Sequence, residues 1–392
     1  MGDLMAERLS ARAILDRLIG FPSVSRDSNL DVVEWLEGYL AGHGIEARKV
    51  PSPCGEKAAL YAEVGPSVDG GVALCGHTDV VPVDGQDWTS DPFTVTEREG
   101  RLYGRGTCDM KGFDALAVWA LVEARYRNLA RPVQIAFTYD EEVGLLGAPV
   151  LADAMRAAGM TRCSTMIVGE PTMMKVVTGH KGGSGWDVHV KGHEVHSSLL
   201  PQGVSAVMWA ARLIDWANRE NAAIMARAPG PLAAPFDPPF TTLHFGQIKG
   251  GTAHNITAGD CWAGFEFRVV PGESVAEWEE KFLAECARLT AEMRKVHPDT
   301  GITATRYFAA PPLEPQTDDA AEALARRLTG DNATHVVSYG TDAGHFQARG
   351  WSVVICGPGD IAQAHQADEY LSVAQFEEGK AFMERLLDAL AE

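Results

Sequence analysis

Cysteine is scarce and unpatterned: seven residues in 392, an odd number, with no Cys-x-x-Cys pair. That excludes a disulfide framework and fits reduced, mostly buried thiols in a cytoplasmic protein. Positive charge is also short. Lys and Arg number 34 against 53 Asp and Glu, a formal net charge of −19. No basic stripe could offset that, so neither nucleic acid nor an anionic membrane is expected as a partner. No apolar run approaches the roughly 20 residues of a membrane span. The opening MGDLMAERLSARAILDRLIG is charged throughout and lacks the apolar core of a secretory signal. Ala6 stands where a myristoylation signal needs Ser or Thr. The stretch Gly104 to Gly112 lacks the Gly-Lys-Ser/Thr ending of a phosphate loop. There is no internal repeat.

Hydrophobic residues at 46% and charged residues at 22% describe an ordinary globular chain. Its length exceeds what one compact core usually holds, so two domains are expected. Helical stripes cover about 5–19, Leu30–Leu40, Leu116–Tyr126 and Ala148–Ala158. Strand-like runs lie at Ala58–Val64, Val72–Cys75, Phe93–Glu97, Val133–Tyr139 and Thr165–Val168. This alternation predicts an α/β domain with a mostly parallel central sheet flanked by helices, formed by 1–179 and 311–392. Between them, 180–310 reads β-α-β-β-α-β, an inserted two-layer α+β domain.

The run Val72–Cys75 leads into Gly76-His77-Thr78-Asp79. In extended chain, positions i and i+2 face the same way, so the Asp79 carboxylate could steady the His77 imidazole. A strand end with a surface His and a turn Asp would read the same. Four more stretches end strands or fill loops: Gly104–Gly112 with Asp109, Asp140-Glu141-Glu142, Gly169-Glu170-Pro171, and Ala364-His365-Gln366. Each alone reads equally as turn chemistry. Together they place His77, Asp109, Glu142, Glu170 and His365 where one sheet could gather them, beyond the carboxyl ends of its strands. Two histidines and three carboxylates suit two borderline-hard divalent cations such as Zn²⁺.

HTDVVP, GRGTCDMKG, YDEEVG, GEPT and GPGDIAQAHQADEY resemble the metal-binding stretches of a metallohydrolase family. It includes acetylornithine deacetylases, succinyl-diaminopimelate desuccinylases, aminoacylases and carboxypeptidases. The likeness runs through the whole chain in the family's order. It implies two metal ions per subunit, zinc or alternatively cobalt. His77 and Glu170 would hold one, Glu142 and His365 the other, with Asp109 bridging and Asp79 orienting His77. Glu141 would be the general base, and the Asp109-Met110 peptide would be cis. The insert would serve as a dimerisation and lid domain. In a homodimer, His196 would stabilise the oxyanion and Asn255 would reach substrate, both across the interface. Arg268 would bind the substrate α-carboxylate, aided by Gly340 and Thr341. Guanidinium suits that task through its bidentate fork. The run Val353 to Gln366 most resembles the deacetylase branch, which implies conversion of N²-acetyl-L-ornithine to L-ornithine and acetate, a step of arginine biosynthesis. Desuccinylase, broad aminoacylase and dipeptidase activity stand as alternatives. Outside enzymes, the alternative is an inactive, metal-stabilised dimeric binding module.

Overall fold

The computed structural model describes residues 7–317 and 319–392. The chain divides into two compact units. The first takes in the chain up to Thr178, Pro315–His335 and Thr341–Glu392; the second takes in Gly179–Glu314 and Val336–Gly340.

The chain begins with α1 (Ala11–Ile19), α2 (Leu30–Gly42), β1 (Ala47–Pro51), β2 (Ala58–Val64) and β3 (Val72–His77). After β4 (Thr96–Arg98) and β5 (Arg101–Tyr103) come α3 (Lys111–Arg125), β6 (Val133–Thr138), α4 (Gly147–Ala157), β7 (Thr165–Pro171) and β8 (Val177–His180). The second unit supplies β9 (Gly182–Lys191), α5 (Ala206–Met225), β10 (Thr242–Gly250), β11 (Asp260–Val269), α6 (Val275–Met293) and β12 (Gly301–Ala310). The remainder is α7 (Ala320–Thr329), β13 (His335–Val337), α8 (Ala343–Gln347), β14 (Ser352–Gly357), β15 (Tyr370–Ser372) and α9 (Val373–Ala391).

The main sheet runs β1-β2-β6-β3-β7-β14-β8-β13. Its centre is parallel, with β3 between β6 and β7 and β14 beside β7. Pairing turns antiparallel at β1–β2, β2–β6 and β14–β8. Every residue of β3 and β6 is buried, as continuous apolar strands covered on both faces should be. Helix α3 packs on this centre and is apolar on almost every side, the pattern of a buried helix. Two glycines admit it. A Cβ on Gly169 would lie 2.0–2.2 Å from ring atoms of Phe113, and one on Gly76 would lie 2.0 Å from Asp114 Oδ1.

In the second unit, β10-β11-β9-β12 form an antiparallel sheet. Along β11 burial alternates, the period of a strand with one covered face. Phe265 and Phe267 pack inward into a core with Trp186 and Phe282, while Trp262 is exposed. The α/β fold with an inserted α+β layer is therefore as the sequence predicts.

Local differences have physical causes. Helix α3 starts at Lys111, not Leu116, because its polar first turn is also buried: Lys111 Nζ donates to the carbonyls of Leu18 (3.0 Å) and Phe21 (2.8 Å). The strand predicted at Phe93–Glu97 shrinks to Thr96–Arg98. The polar strand β1 lies at the sheet edge, where apolar alternation is not required. The first helix starts at Ala11 behind a Ser10 cap; the part predicted before residue 7 lies outside the described residues. Among the described residues, no helix is long and apolar enough to cross a membrane.

Candidate active site

Three parallel strands deliver acids and a histidine from their carboxyl ends, the usual place for reactive groups in such sheets. His77 closes β3, Glu170 lies near the end of β7, and Asp140-Glu141-Glu142 follow β6. Asp109 comes from the turn before α3 and His365 from the loop after β14. The Asp109–Met110 peptide is cis. Both Asp140 (φ 56°) and His365 (φ 62°) adopt left-handed backbone, a conformation uncommon outside glycine and often found at functional sites.

Asp109 stands between the two histidines. Its Oδ1 is 3.1 Å from His77 Nε2 and its Oδ2 is 3.1 Å from His365 Nε2. His365 Nε2 also lies 3.1 Å from Glu142 Oε1. Glu170 Oε1 approaches His77 Nε2 at 4.0 Å and, although buried, has no hydrogen-bond partner. Donor atoms of His77, Asp109 and Glu142 lie within 4.8 Å of one another, as do those of His77, Glu141 and Glu170. The structure thus gathers all five residues predicted to hold metal, and Glu141 with them. His77 is sealed in at 1% exposure, whereas the His365 side chain is 50% exposed.

The Nδ1 of His77 lies 2.9 Å from the Asp79 backbone carbonyl. A carbonyl only accepts, so Nδ1 carries the proton and Nε2 is the atom turned to the acids. The Asp79 carboxylate is farther, with Oδ1 at 3.6 Å. It instead accepts from Ser25 Oγ (2.6 Å) and from the Glu141 (3.2 Å) and Glu142 (3.4 Å) amides. Asp79 therefore fixes His77 through its main chain and the Glu141-Glu142 turn through its side chain.

The electrostatics are those of surplus negative charge. Burial, then the neighbouring Glu170 carboxylate, pushes the Glu141 carboxyl well above its ordinary range. Burial and Asp109 hold Glu142 at about 7, and burial and Asp109 likewise raise Glu170. For His77, burial opposes charging, but the Asp109 hydrogen bond and the charges of Glu141, Asp79 and Glu170 win and raise it well above the usual imidazole value. Hydrogen bonds to Asp109 and Glu142 lift His365 to about 10. Burial works against ionisation of Asp109, yet its bonds from His365 and His77 bring it below the normal carboxylate range. Protonated, the two imidazoles would supply part of the positive charge that the surrounding acids lack. With neutral imidazoles, ionised Asp109, Glu141, Glu142 and Glu170 sum to four negative charges, matching two divalent ions. Orphaned Glu170 Oε1 and this donor set fit such a pair.

His196, Asn255 and Arg268 belong to the second unit. Exposed His196 has Nδ1 2.7 Å from Ser198 Oγ. Its backbone bridges Ile256, and the exposed Asn255 accepts from the Ser197 amide at 2.8 Å. Half-buried Arg268 pairs with Glu266 at 3.0 Å. Gly340 ends the second unit, and buried Thr341 resumes the first, where its Oγ1 accepts from the Ala343 amide at 3.1 Å.

Sequence reasoning passed over several groups. Asp114 is buried with both carboxyl oxygens unpartnered, and burial keeps it protonated far above the normal range. Buried Asp342 accepts from Thr138 Oγ1 at 2.6 Å and is raised to about 6, chiefly by burial. Lys57 Nζ joins Asp140 to the Ser25 carbonyl. Asp114 and Glu369 lie in or beside the quoted motifs and Asp342 follows Thr341; an acid one turn into a helix that is otherwise largely apolar beyond Lys111 was the available signal for Asp114.

A family model for peptidase family M20/M25/M40 matches residues 73–389. An acetylornithine deacetylase from Myxococcus xanthus is 36% identical, covering 97% of this chain and 98% of that protein. One from Proteus mirabilis is 34% identical over 95% and 94%. Among solved structures, an M20 family metallo-carboxypeptidase from Sulfolobus solfataricus superposes with a TM-score of 0.75 at 17% identity, covering 97% and 98% of the two chains. A dinuclear metal binding peptidase of the M20 family from Bacillus subtilis gives a TM-score of 0.61 at 16% identity, with 97% of each chain covered. The chain belongs to peptidase family M20/M25/M40, whose members are metal-dependent hydrolases of amide bonds.

Proposed function

We propose that this chain is a dinuclear metal-dependent deacetylase that converts N²-acetyl-L-ornithine to L-ornithine and acetate. The observation that carries the catalytic part is the clustering of two imidazoles and three further carboxylates, Glu141 among them, around Asp109. The relatives named acetylornithine deacetylase, at 32–36% identity over nearly the whole chain, favour the substrate.

His77 and Glu170 would hold one ion and Glu142 and His365 the other, with Asp109 shared. Bound there, two Zn²⁺ ions (or Co²⁺) supply the positive charge that polarises an amide carbonyl and makes water a stronger acid. Asp79 keeps His77 Nε2 facing the site. Buried beside Glu170, Glu141 has a carboxylate with high proton affinity. It takes a proton from the attacking water and returns it to the leaving amine nitrogen, a role contributing roughly 10²–10⁴-fold in rate. His196 donates to the developing oxyanion and Asn255 contacts substrate, both from the partner of a homodimer. Arg268, with Gly340 and Thr341, binds the α-carboxylate. The reaction is placed in the cytoplasm, in arginine biosynthesis.

The deciding experiment is a kinetic panel of N-acetyl-ornithine, N-succinyl-diaminopimelate, other N-acetyl amino acids and dipeptides with zinc-loaded protein. N-acetyl-ornithine should show the highest kcat/KM, and a clear preference for another substrate would overturn the assignment. In the same assay Glu141→Ala should retain its metal and lose at least about 10²-fold in kcat. Unchanged turnover would remove Glu141 as the base.

A further inference from the structure

Asp109 leaves a turn with no regular ladder of its own, yet its two oxygens must serve two histidines. What holds that turn is Glu369, a residue 1% exposed just ahead of β15. Three backbone amides converge on its Oε1: Gly106 at 3.0 Å, Cys108 at 2.9 Å and Asp109 itself at 3.0 Å. Its Oε2 receives Arg105 Nη1 at 2.5 Å. Arg105 is 1% exposed, and its Nη2 donates to Gln86 Oε1 at 2.6 Å. Trp88 Nε1 donates to that same oxygen at 3.1 Å. Gln86 Nε2 then donates to the His365 backbone carbonyl at 3.0 Å.

One continuous series of hydrogen bonds therefore begins at the Asp109 amide and ends at the His365 carbonyl. A buried ion pair contributes little net stability by itself, because desolvation offsets the attraction. The function of Arg105–Glu369 must be sought in the geometry it imposes. A carboxylate oxygen accepting three amides from one turn fixes that turn more tightly than any single bond. Arg105 and Gln86 carry the same constraint to a loop that is otherwise half-exposed and held at left-handed backbone at His365.

We infer that Glu369, Arg105 and Gln86 form a positioning clamp that holds Asp109 and His365 at the separation required to bind two cations. Glu369 touches neither cation nor substrate in this role; it acts through the residues it holds. The inference rests on the two-ion reading given above. Outer partners of metal-binding side chains typically contribute 10- to 100-fold in affinity, and the clamp should act on that scale.

The test is calorimetric titration of ion-free protein with Zn²⁺ in a chelator-buffered series, alongside thermal unfolding of the ion-free protein. The variants are Glu369→Gln, which removes the charge at nearly constant volume, and Gln86→Leu, a change at a half-buried position that leaves the Arg105–Glu369 pair in place. Glu369→Gln should weaken Zn²⁺ binding by 10- to 100-fold. Gln86→Leu should weaken the ion held through His365 about tenfold, leave the other unchanged, and shift the ion-free midpoint by less than a degree or two. The double variant should lose less than the sum of the two, because both cut one series. Wild-type protein failing to bind two ions per chain would sink the two-ion reading itself. Two ions bound by wild type and bound equally well by both variants would overturn the clamp alone. So would an affinity loss in Gln86→Leu matched by an equal loss of ion-free stability, which is the mark of general loosening. Should Glu369→Gln fail to fold, Gln86→Leu decides.

Discussion

Gly169→Ala tests whether the site is built by close approach of α3 to the sheet. The added methyl would sit 2.0, 2.1 and 2.2 Å from three atoms of the Phe113 ring. Ordinary contact needs about 3.5 Å, so the ring or the strand must yield about 1.5 Å. The ring has nowhere to go, since Phe113 is 2% exposed within the main core. Overpacking of this kind costs typically 1–3 kcal/mol, and a rigid aromatic facing a central strand belongs at the upper end, about 3 kcal/mol. For a domain of this size each kcal/mol shifts the midpoint by about 2–4 °C, which gives a fall of roughly 6–12 °C. Gly38, exposed on α2 with nothing within 4 Å of a Cβ, is the opposite case. There Gly38→Ala should stabilise by roughly 0.5–1 kcal/mol through helix propensity. Calorimetry or circular dichroism melts of the two ion-free variants against wild type decide the matter. Because Phe113 sits in the first turn of α3, four residues after Asp109, and Gly169 precedes Glu170, the Gly169 variant should also bind Zn²⁺ more weakly. A Gly169→Ala midpoint at or above wild type would refute the packing argument.

His365→Ala should lower the metal retained after dialysis from two ions per chain toward one, measured by elemental analysis; full retention would exclude His365 as a ligand. Arg268→Ala should raise KM for N-acetyl-ornithine by roughly 10- to 100-fold with a smaller change in kcat, the loss of one charged hydrogen-bonding partner; a change confined to kcat would contradict carboxylate binding. Burial depresses His180 to about 4, against about 6.5 in an unfolded chain. Between those values the unfolded state binds more protons. The stability contributed by neutral His180 is therefore complete above pH 6.5 and declines as pH falls toward 4, by about 2 kcal/mol at pH 5. Denaturant titrations of wild type and His180→Gln at pH 7 and pH 5 should diverge by that amount, and parallel behaviour would show that His180 does not titrate with folding.

Much of the fold could be read from the chain because its strongest signals are local. The apolar runs that became β3, β6 and β7 are long and bounded by turn residues, and the alternation along β11 gives a half-covered strand. What could not be read depends on distant partners. The polar first turn of α3 is tolerable in the core only because Leu18 and Phe21 present carbonyls to Lys111. The i, i+2 spacing of His77 and Asp79 suggested that the carboxylate steadies the imidazole; in the structure the Asp79 backbone carbonyl meets His77 Nδ1, while Ser25 and two amides beyond β6 claim the carboxylate. Glu369 was visible within a motif, yet its task depends on amides 260 to 263 positions away. The cluster of His77, Asp109, Glu142, Glu170 and His365 was legible as separate strand-end or loop signals, whose meaning came from their joint order.

Strand β14 pairs in parallel with β7, although the whole second unit is translated between them. The ribosome therefore releases four of the five clustered residues, His77, Asp109, Glu142 and Glu170, long before the strand preceding His365 exists to complete the set. On the two-ion reading, a nascent chain can already present His77, Asp109 and Glu170 for one ion, but the second lacks His365 until the chain beyond β14 is made. Maturation of the centre is tied to the slowest kind of contact a chain can make, one between segments far apart in sequence, and hydrolytic competence arrives only with the finished sheet.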